Sequence, residues 1–235
     1  MTVVDPAATR AAVRAGTLSC PQAGCEGTLK AWSKARARQV LMSGGRRVVV
    51  HPDRARCRSC KVTQVLLPAS CLPRRAYGVE VIGAALTAAA SGTGYRCVAI
   101  SIGVPVSTVR AWIRSVARTG EHLTSTALTV MRTLGANTAP CQISGSTPVH
   151  PVRAALQALG TAASALTQSA AAPPRSSPGA LSGIDYLALL ATSHRQELDR
   201  WMRLSDPTEA AATAPPWHQV TMITGGRLLT TTRSD

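Results

Sequence analysis

The stretch from residue 95 to residue 118 constrains the fold of this chain more than any other. Its sequence, YRCVAISIGVPVSTVRAWIRSVAR, places apolar residues where two short helices joined by a tight turn bury them. Ala99 permits close helix contact, and Gly103 supplies a left-handed turn that glycine enters without strain. Ser107 is predicted to cap the second helix with its hydroxyl. The predicted buried positions are Val98, Ile102, Val104, Val109 and Ile113.

The second helix of this stretch has two chemically different faces. Apolar residues from Val109 to Val116 share one side, whereas arginines recur every fourth residue on another. A helix-turn-helix with such a cationic side suits the major groove of DNA, and it predicts double-stranded DNA as the partner. The alternative is an ordinary helix pair with a solvated arginine face. The predicted DNA contacts are Arg74, Arg75, Arg96, Ser107, Thr108, Arg110, Arg114 and Arg118.

Apolar spacing also predicts the helices on either side. The helix before residues 95–118 and the two helices within that stretch form a predicted three-helix unit of residues 78–90, 94–101 and 107–118. Residues 121–134 form a further helical pattern, which packs on this unit or pairs with a second copy in a homodimer. Arg74 and Arg75 resemble a basic arm that reaches a neighbouring groove, and a solubilising linker is an equal alternative.

The positive charge is concentrated in the first half of the chain. Residues 1–120 contain 18 lysines and arginines against 4 acidic residues, and residues 121–235 contain 8 against 7, for a net charge of +15. A basic half of this kind indicates a polyanionic partner, ordinarily nucleic acid.

Two cysteine pairs predict a metal site. Cys20 and Cys25 lie in CPQAGC, and Cys57 and Cys60 lie in CRSC, with turn-forming neighbours in both. Four thiolates in two such turns can surround one structural Zn²⁺ tetrahedrally, leaving no position for catalytic water. Four unrelated buried thiols are the alternative. No signal peptide or membrane span is evident, so we expect reduced thiols in a cytoplasmic, nucleoid-associated protein.

The segments around these pairs read as strands of a zinc ribbon. Residues 28–32, 37–42, 46–51 and 63–68 have strand patterns, with a turn at 43–45. We predict that their basic face contacts phosphate independently of DNA sequence. The basic residues are Lys30, Lys34, Arg36, Arg38, Arg46, Arg47, Arg54, Arg56, Arg58 and Lys61.

The last hundred residues are weakly specified. An alanine-rich segment, 152–172, is predicted to be a poorly packed helix, 183–204 a better one, and 217–232 a hairpin about Gly225 and Gly226. The carboxylates of this region have no strand framework to hold two metal ions, so we expect no enzyme.

These patterns predict an α+β protein. A small zinc-ribbon sheet at 16–72 is followed by a three-helix, helix-turn-helix unit at 73–134. A loosely ordered, partly helical tail occupies 135–235.

The segments CPQAGC, RCRSCKVTQVLLP, PRRAYGVEVIGAAL and GVPVSTVRAWIR, in this order, resemble an uncharacterised bacterial family over residues 18–134. That family joins a zinc ribbon to a transposase-type helix-turn-helix, similar to the DNA-binding front ends of insertion-sequence transposases. The resemblance implies a zinc-dependent DNA-binding protein of a mobile element or a transcriptional regulator. The alternatives are a non-catalytic accessory protein of a transposase encoded nearby, or a truncated transposase remnant.

Overall fold

A computed structural model of the protein describes residues 1–134, 151–171 and 217–229. A small sheet near the N-terminus precedes a group of helices, so the predicted α+β class is confirmed. The elements are β1 (Thr2–Val3), α1 (Pro6–Ala15), β2 (Leu29–Lys34), β3 (Arg38–Leu41), β4 (Arg47–Val50), β5 (Asp53–Cys57), β6 (Thr63–Pro68), α2 (Val79–Ala90), α3 (Tyr95–Ile102), α4 (Val106–Thr133), α5 (Pro151–Ala171) and α6 (Trp217–Ile223).

The larger sheet has four strands in the order β1-β6-β5-β2. β1 runs parallel to β6, and the other neighbours are antiparallel. Helix α1 begins where the Asp5 carboxylate accepts hydrogen bonds from two backbone N–H groups, and it packs on one face of this sheet. The small core beneath it contains Val3, Val13, Leu18, Cys20, Leu29, Ala55, Cys57 and Leu66.

The carboxylate of Asp53 links α1 to the sheet through ion pairs. Arg10 Nε donates to Asp53 Oδ2 over 2.6 Å, and Lys34 Nζ donates to Oδ1 of the same group. Burial raises the pKa of Asp53, but the two cations outweigh burial and hold the pKa below its ordinary value.

The other two strands form a separate hairpin. β3 and β4 pair around a short 3₁₀ turn at Ser43–Gly45, as predicted. The sequence did not reveal β1 or β5. Of the predicted basic residues, four lie on the larger sheet, at Lys30, Lys34, Arg54 and Arg56. Arg47 and the half-buried Arg38 lie on the hairpin.

The three predicted helices of the middle region are present as α2, α3 and α4. Gly103 ends α3 with a φ of 64°, which confirms the predicted left-handed turn. Two details of the prediction are wrong. Helix α4 continues unbroken to Thr133, because its apolar pattern resumes after 118 and no proline interrupts it, while Gly120 is buried inside the helix. Its N-cap is Pro105, so Ser107 lies inside the helix and makes no capping hydrogen bond.

The C-terminal segments differ most from the structure predicted from the sequence. Helix α5 was expected to pack weakly, yet Leu159 and Ala162 are fully buried in the same core as α2, α3 and α4. Alanines allow α5 to lie close to α4, so a few leucines suffice for burial. The predicted hairpin about Gly225 is also wrong, because α6 occupies its first half and a turn follows.

Trp217 of α6 packs against Gly83 of α2. A Cβ atom added at Gly83 would overlap the Trp217 indole, so glycine is required in the middle of this helix. The predicted helix at 183–204 and Cys141 lie outside the described residues. Within the described ranges, no helix has the length and apolarity that crossing a membrane requires.

Candidate functional site

Two turns bring four cysteines together. One turn carries Cys20 and Cys25, and the other carries Cys57 and Cys60 at the end of β5. The four sulfur atoms lie within 4.8 Å of one another. Cys20 Sγ is 3.7 Å from Cys60 Sγ, and Cys25 Sγ is 3.7 Å from Cys57 Sγ.

These sulfur separations fit a metal site better than disulfides. A disulfide requires an S–S distance of about 2.05 Å. Four sulfurs placed about 2.3 Å from one ion, as in zinc–thiolate sites, stand about 3.8 Å apart in a regular tetrahedron. Cys20, Cys25, Cys57 and Cys60 could therefore bind one metal ion.

Backbone hydrogen bonds close the first turn and join it to the second. Cys20 N–H donates to the Gly27 carbonyl over 2.8 Å within the first turn, and Arg58 N–H of the second turn donates to the Thr28 carbonyl over 2.9 Å. Gly27 also permits close packing: a Cβ atom there would lie 2.7 Å from Cys57 Sγ. Lys61, directly after the last cysteine, has a φ of 64°, which completes the second turn.

The surroundings of the sulfur atoms shift the pKa values of Cys57 and Cys20 in opposite directions. Burial raises the pKa of Cys57, but the N–H groups of Cys60 and Ser59, the latter at 3.3 Å, and hydrogen bonds with the Cys60 and Cys25 thiols lower it to about 6. For Cys20, the N–H of Gln22 lowers the pKa, but burial and the other three sulfurs raise it to about 12. A metal ion bound by the four sulfurs would hold them as thiolates.

Among the described residues, Cys71, Cys97 and His51, a further potential ligand, are not part of the cluster. Cys71 is buried in a separate apolar group with Val40 and Leu67, and burial raises the pKa of its thiol. In the part of the chain that the structure describes, the four cysteines are the one group arranged to hold a metal ion.

Helix α4 presents an exposed stripe over its first half. The opposite side is buried: Val109, Trp112 and Val116 lie in the helical core, and the Trp112 ring meets Tyr77 edge-on at 5.1 Å. This core fixes the rotation of α4 about its own axis. The residues left exposed at helical spacing are Val106, Ser107, Arg110, Ala111 and Arg114.

Neighbouring residues add to this surface. The guanidinium groups of Arg96 and Arg110 lie 5.8 Å and 5.7 Å from the ring centre of Tyr95, so one aromatic side chain attracts both. Arg118 is exposed one turn beyond Arg114, and Thr108 is half-buried.

The two predicted arm residues differ in environment. Arg74 is exposed with a φ of 58°. Arg75 is half-buried, and its Nη2 donates to the Leu229 carbonyl over 2.9 Å. Part of the Arg75 guanidinium therefore binds the C-terminal segment of the chain itself.

Two surface residues were not singled out from the sequence. Ile100 on α3 is 80% exposed, close in sequence to the turn at Gly103, and Trp32 on β2 is 53% exposed. The sequence LKAWSK contained a signal that Trp32 is exposed, because it places a large apolar residue between two lysines on one strand.

Residues 20–112 match the family model described as a domain of unknown function, DUF6431. The match covers less than half of the 235-residue chain, and it begins at Cys20 and ends at Trp112. It includes all four clustered cysteines, and it identifies neither a transposase nor a helix-turn-helix family. No curated protein and no solved structure matches the chain.

Proposed function

We propose that this protein is a DNA-binding protein that reads the major groove with the first half of α4 and holds a structural zinc ion with its four clustered cysteines. The observation that carries the proposal is the exposed stripe of α4. It combines two arginines with small side chains on a helix whose other side is fixed by packing.

The dimensions of α4 suit a major groove. Residues 106–118 extend over about 20 Å at 1.5 Å per residue, and the groove is about 12 Å wide and 8.5 Å deep. Arg110 and Arg114 stand one helical turn apart, a rise of about 6 Å, or roughly two base-pair steps. Each guanidinium can bind a guanine edge with two hydrogen bonds, and the methyl groups of Val106 and Ala111 can contact thymine methyl groups.

The charge of the surrounding surface favours DNA as well. Arg96 and Arg118 flank the stripe and are exposed, and within the described residues neither forms an ion pair. Exposed guanidinium groups without acidic partners are free to bind phosphate, which contributes affinity but no sequence preference.

The donor set favours zinc in a structural role. Four thiolates in tetrahedral positions are typical of Zn²⁺, and they leave no coordination site for a substrate or water. The small core around Leu29 includes two of the cysteines themselves, so removal of the ion removes part of that core. We accordingly propose a non-enzymatic role, in transposition or in transcriptional control.

Anisotropy titrations of the full, zinc-loaded chain test this proposal. The probes are a selected duplex and a random duplex, each titrated at several salt concentrations. Arg110→Ala and Arg114→Ala should each weaken specific binding about 5- to 150-fold, the equivalent of about 1–3 kcal/mol for a bidentate base contact. Arg132→Ala, an exposed arginine at the far end of the same helix, is the matched control and should change little.

The titrations also separate base recognition from phosphate contact. A phosphate contact weakens both duplexes equally and lowers the salt slope by about one. If Arg110→Ala and Arg114→Ala leave the preference for the selected duplex unchanged, α4 does not read the bases.

A further inference from the structure

A tryptophan stands at an irregularity of the edge strand β2. In the pairing of β2 with β5, Ala31 lies opposite Ala55 and Ser33 lies opposite Arg54, so Trp32 is the extra residue of a β-bulge. Bulges at sheet edges redirect side chains, and this one leaves the indole 53% exposed. Trp32 is not among the residues of the apolar core beneath the sheet.

An arginine holds one face of the indole. The guanidinium carbon of Arg56 lies 4.7 Å from the ring centre of Trp32. Arg56 Nε also donates to the Lys61 carbonyl over 3.1 Å, which fixes the guanidinium at the turn after the last cysteine. The indole is thus held on one side and remains accessible to a further planar group.

The same indole lines a groove between α1 and β2. The groove has a volume of about 320 Å³, close to the lower end of small-molecule sites, which begin at about 300 Å³. Its lining includes Arg14 and Arg54, and in the described part of the chain neither guanidinium has a hydrogen bond or ion pair.

The charge of the groove selects an anionic ligand. Its single acidic residue, Asp53, is already bound by Arg10 and Lys34, two further cations of the lining. An aromatic platform surrounded by unpaired guanidinium groups is suited to a nucleobase joined to phosphates. Duplex DNA does not fit this chemistry, because its base faces are covered by their stacked neighbours.

We propose that Trp32 and the groove beside it bind single-stranded nucleic acid. One unstacked base lies on the free face of Trp32, and Arg14 and Arg54 bind the adjoining phosphates. The site is separate from the duplex-reading stripe of α4 and does not depend on it.

The test uses the full, zinc-loaded chain and three fluorescent probes: a twelve-nucleotide oligothymidine, the same strand with abasic residues, and a matched duplex. Trp32→Ala should weaken binding of the oligothymidine about 5- to 150-fold, the effect of losing one stacked base. Trp32→Phe keeps a stacking surface and should restore most of the affinity. Val49→Ala, an equally exposed apolar residue of the other sheet, is the control.

The abasic strand separates the contribution of base stacking to the binding affinity from the contribution of charge. The wild-type protein should bind it more weakly than the intact strand, whereas Trp32→Ala should bind the two strands alike. Duplex affinity should change less than twofold in Trp32→Ala, and Arg110→Ala should lower duplex preference while leaving oligothymidine binding intact. The assays can therefore refute duplex reading by α4 without refuting strand binding at Trp32, and the reverse.

Equal binding of intact and abasic strands by the wild-type protein would overturn this inference. So would unchanged oligothymidine affinity in Trp32→Ala. A third contradictory result is a Trp32→Ala chain that loses self-association but not strand affinity, since the indole would then contact a second copy.

Discussion

A single methyl group added at Gly27 should disrupt the cysteine cluster. The new Cβ atom would lie 2.7 Å from Cys57 Sγ and 2.5 Å from Ser59 Oγ. Ordinary contacts between such atoms are about 3.5–4.0 Å, so the Cys57 sulfur would have to move by about 1 Å. Metal–sulfur distances tolerate only about 0.2 Å of deviation.

The size of the effect follows from this displacement. Overpacking of this kind costs about 1–3 kcal/mol, which corresponds to roughly a 5- to 150-fold loss of metal affinity. Competition with a chromophoric chelator measures the affinity directly, and thermal unfolding with and without zinc gives the accompanying loss of stability.

Gly94→Ala is the matched control for Gly27→Ala. It adds the same methyl group where nothing lies within 4 Å, at a backbone φ of −61°. We expect its metal affinity to equal that of the wild-type protein. If Gly27→Ala also retains wild-type affinity, Cys57 is not held in the tight four-sulfur arrangement inferred here.

Three further predictions concern stability. Gly83→Ala should lower the stability by about 1–3 kcal/mol in thermal unfolding, because its methyl group displaces Trp217; a gain from helix propensity would contradict that packing. Trp112→Ala should cost about 3–5 kcal/mol in urea, and a loss below 1 kcal/mol would place Trp112 outside the core. Asp53→Asn should cost at most about 1 kcal/mol at pH 7, because solvent screens the ion pairs. A difference from wild type that stays unchanged down to pH 2 would show that the ion pairs contribute nothing.

The pH dependence of the Asp53 contribution has a definite sign. Since its folded pKa lies below the ordinary value of about 3.9, the contribution is complete above that value. It is lost as the pH falls through the lower folded pKa. The stability difference between wild type and Asp53→Asn should therefore be constant near neutral pH and shrink in acid.

Features that depend on local residue spacing could be predicted from the sequence. The turn at Gly103 and the burial of Trp112 follow from spacing along one helix. The cysteine cluster also follows, because each pair lies within one tight turn and the chemistry of thiolates joins the pairs.

Features that depend on distant partners could not be predicted. Helix α5 is buried because small alanines let it approach α4, which local hydrophobicity does not reveal. In the sequence, Gly83 resembles only a residue of low helix propensity within α2. Its packing against Trp217 is visible only in the structure. Strand β5, DRARC, has few apolar residues to mark it as a strand, and it is defined by its pairing with β2 and β6.

Selection of binding sites from random duplex DNA by the full, zinc-loaded chain tests whether α4 reads DNA sequence. We expect one enriched motif, with relaxed preference at one base pair in Arg110→Ala and at a neighbouring one in Arg114→Ala. A pool that shows no enrichment, or a motif that both variants select unchanged, would contradict the claim that α4 reads DNA.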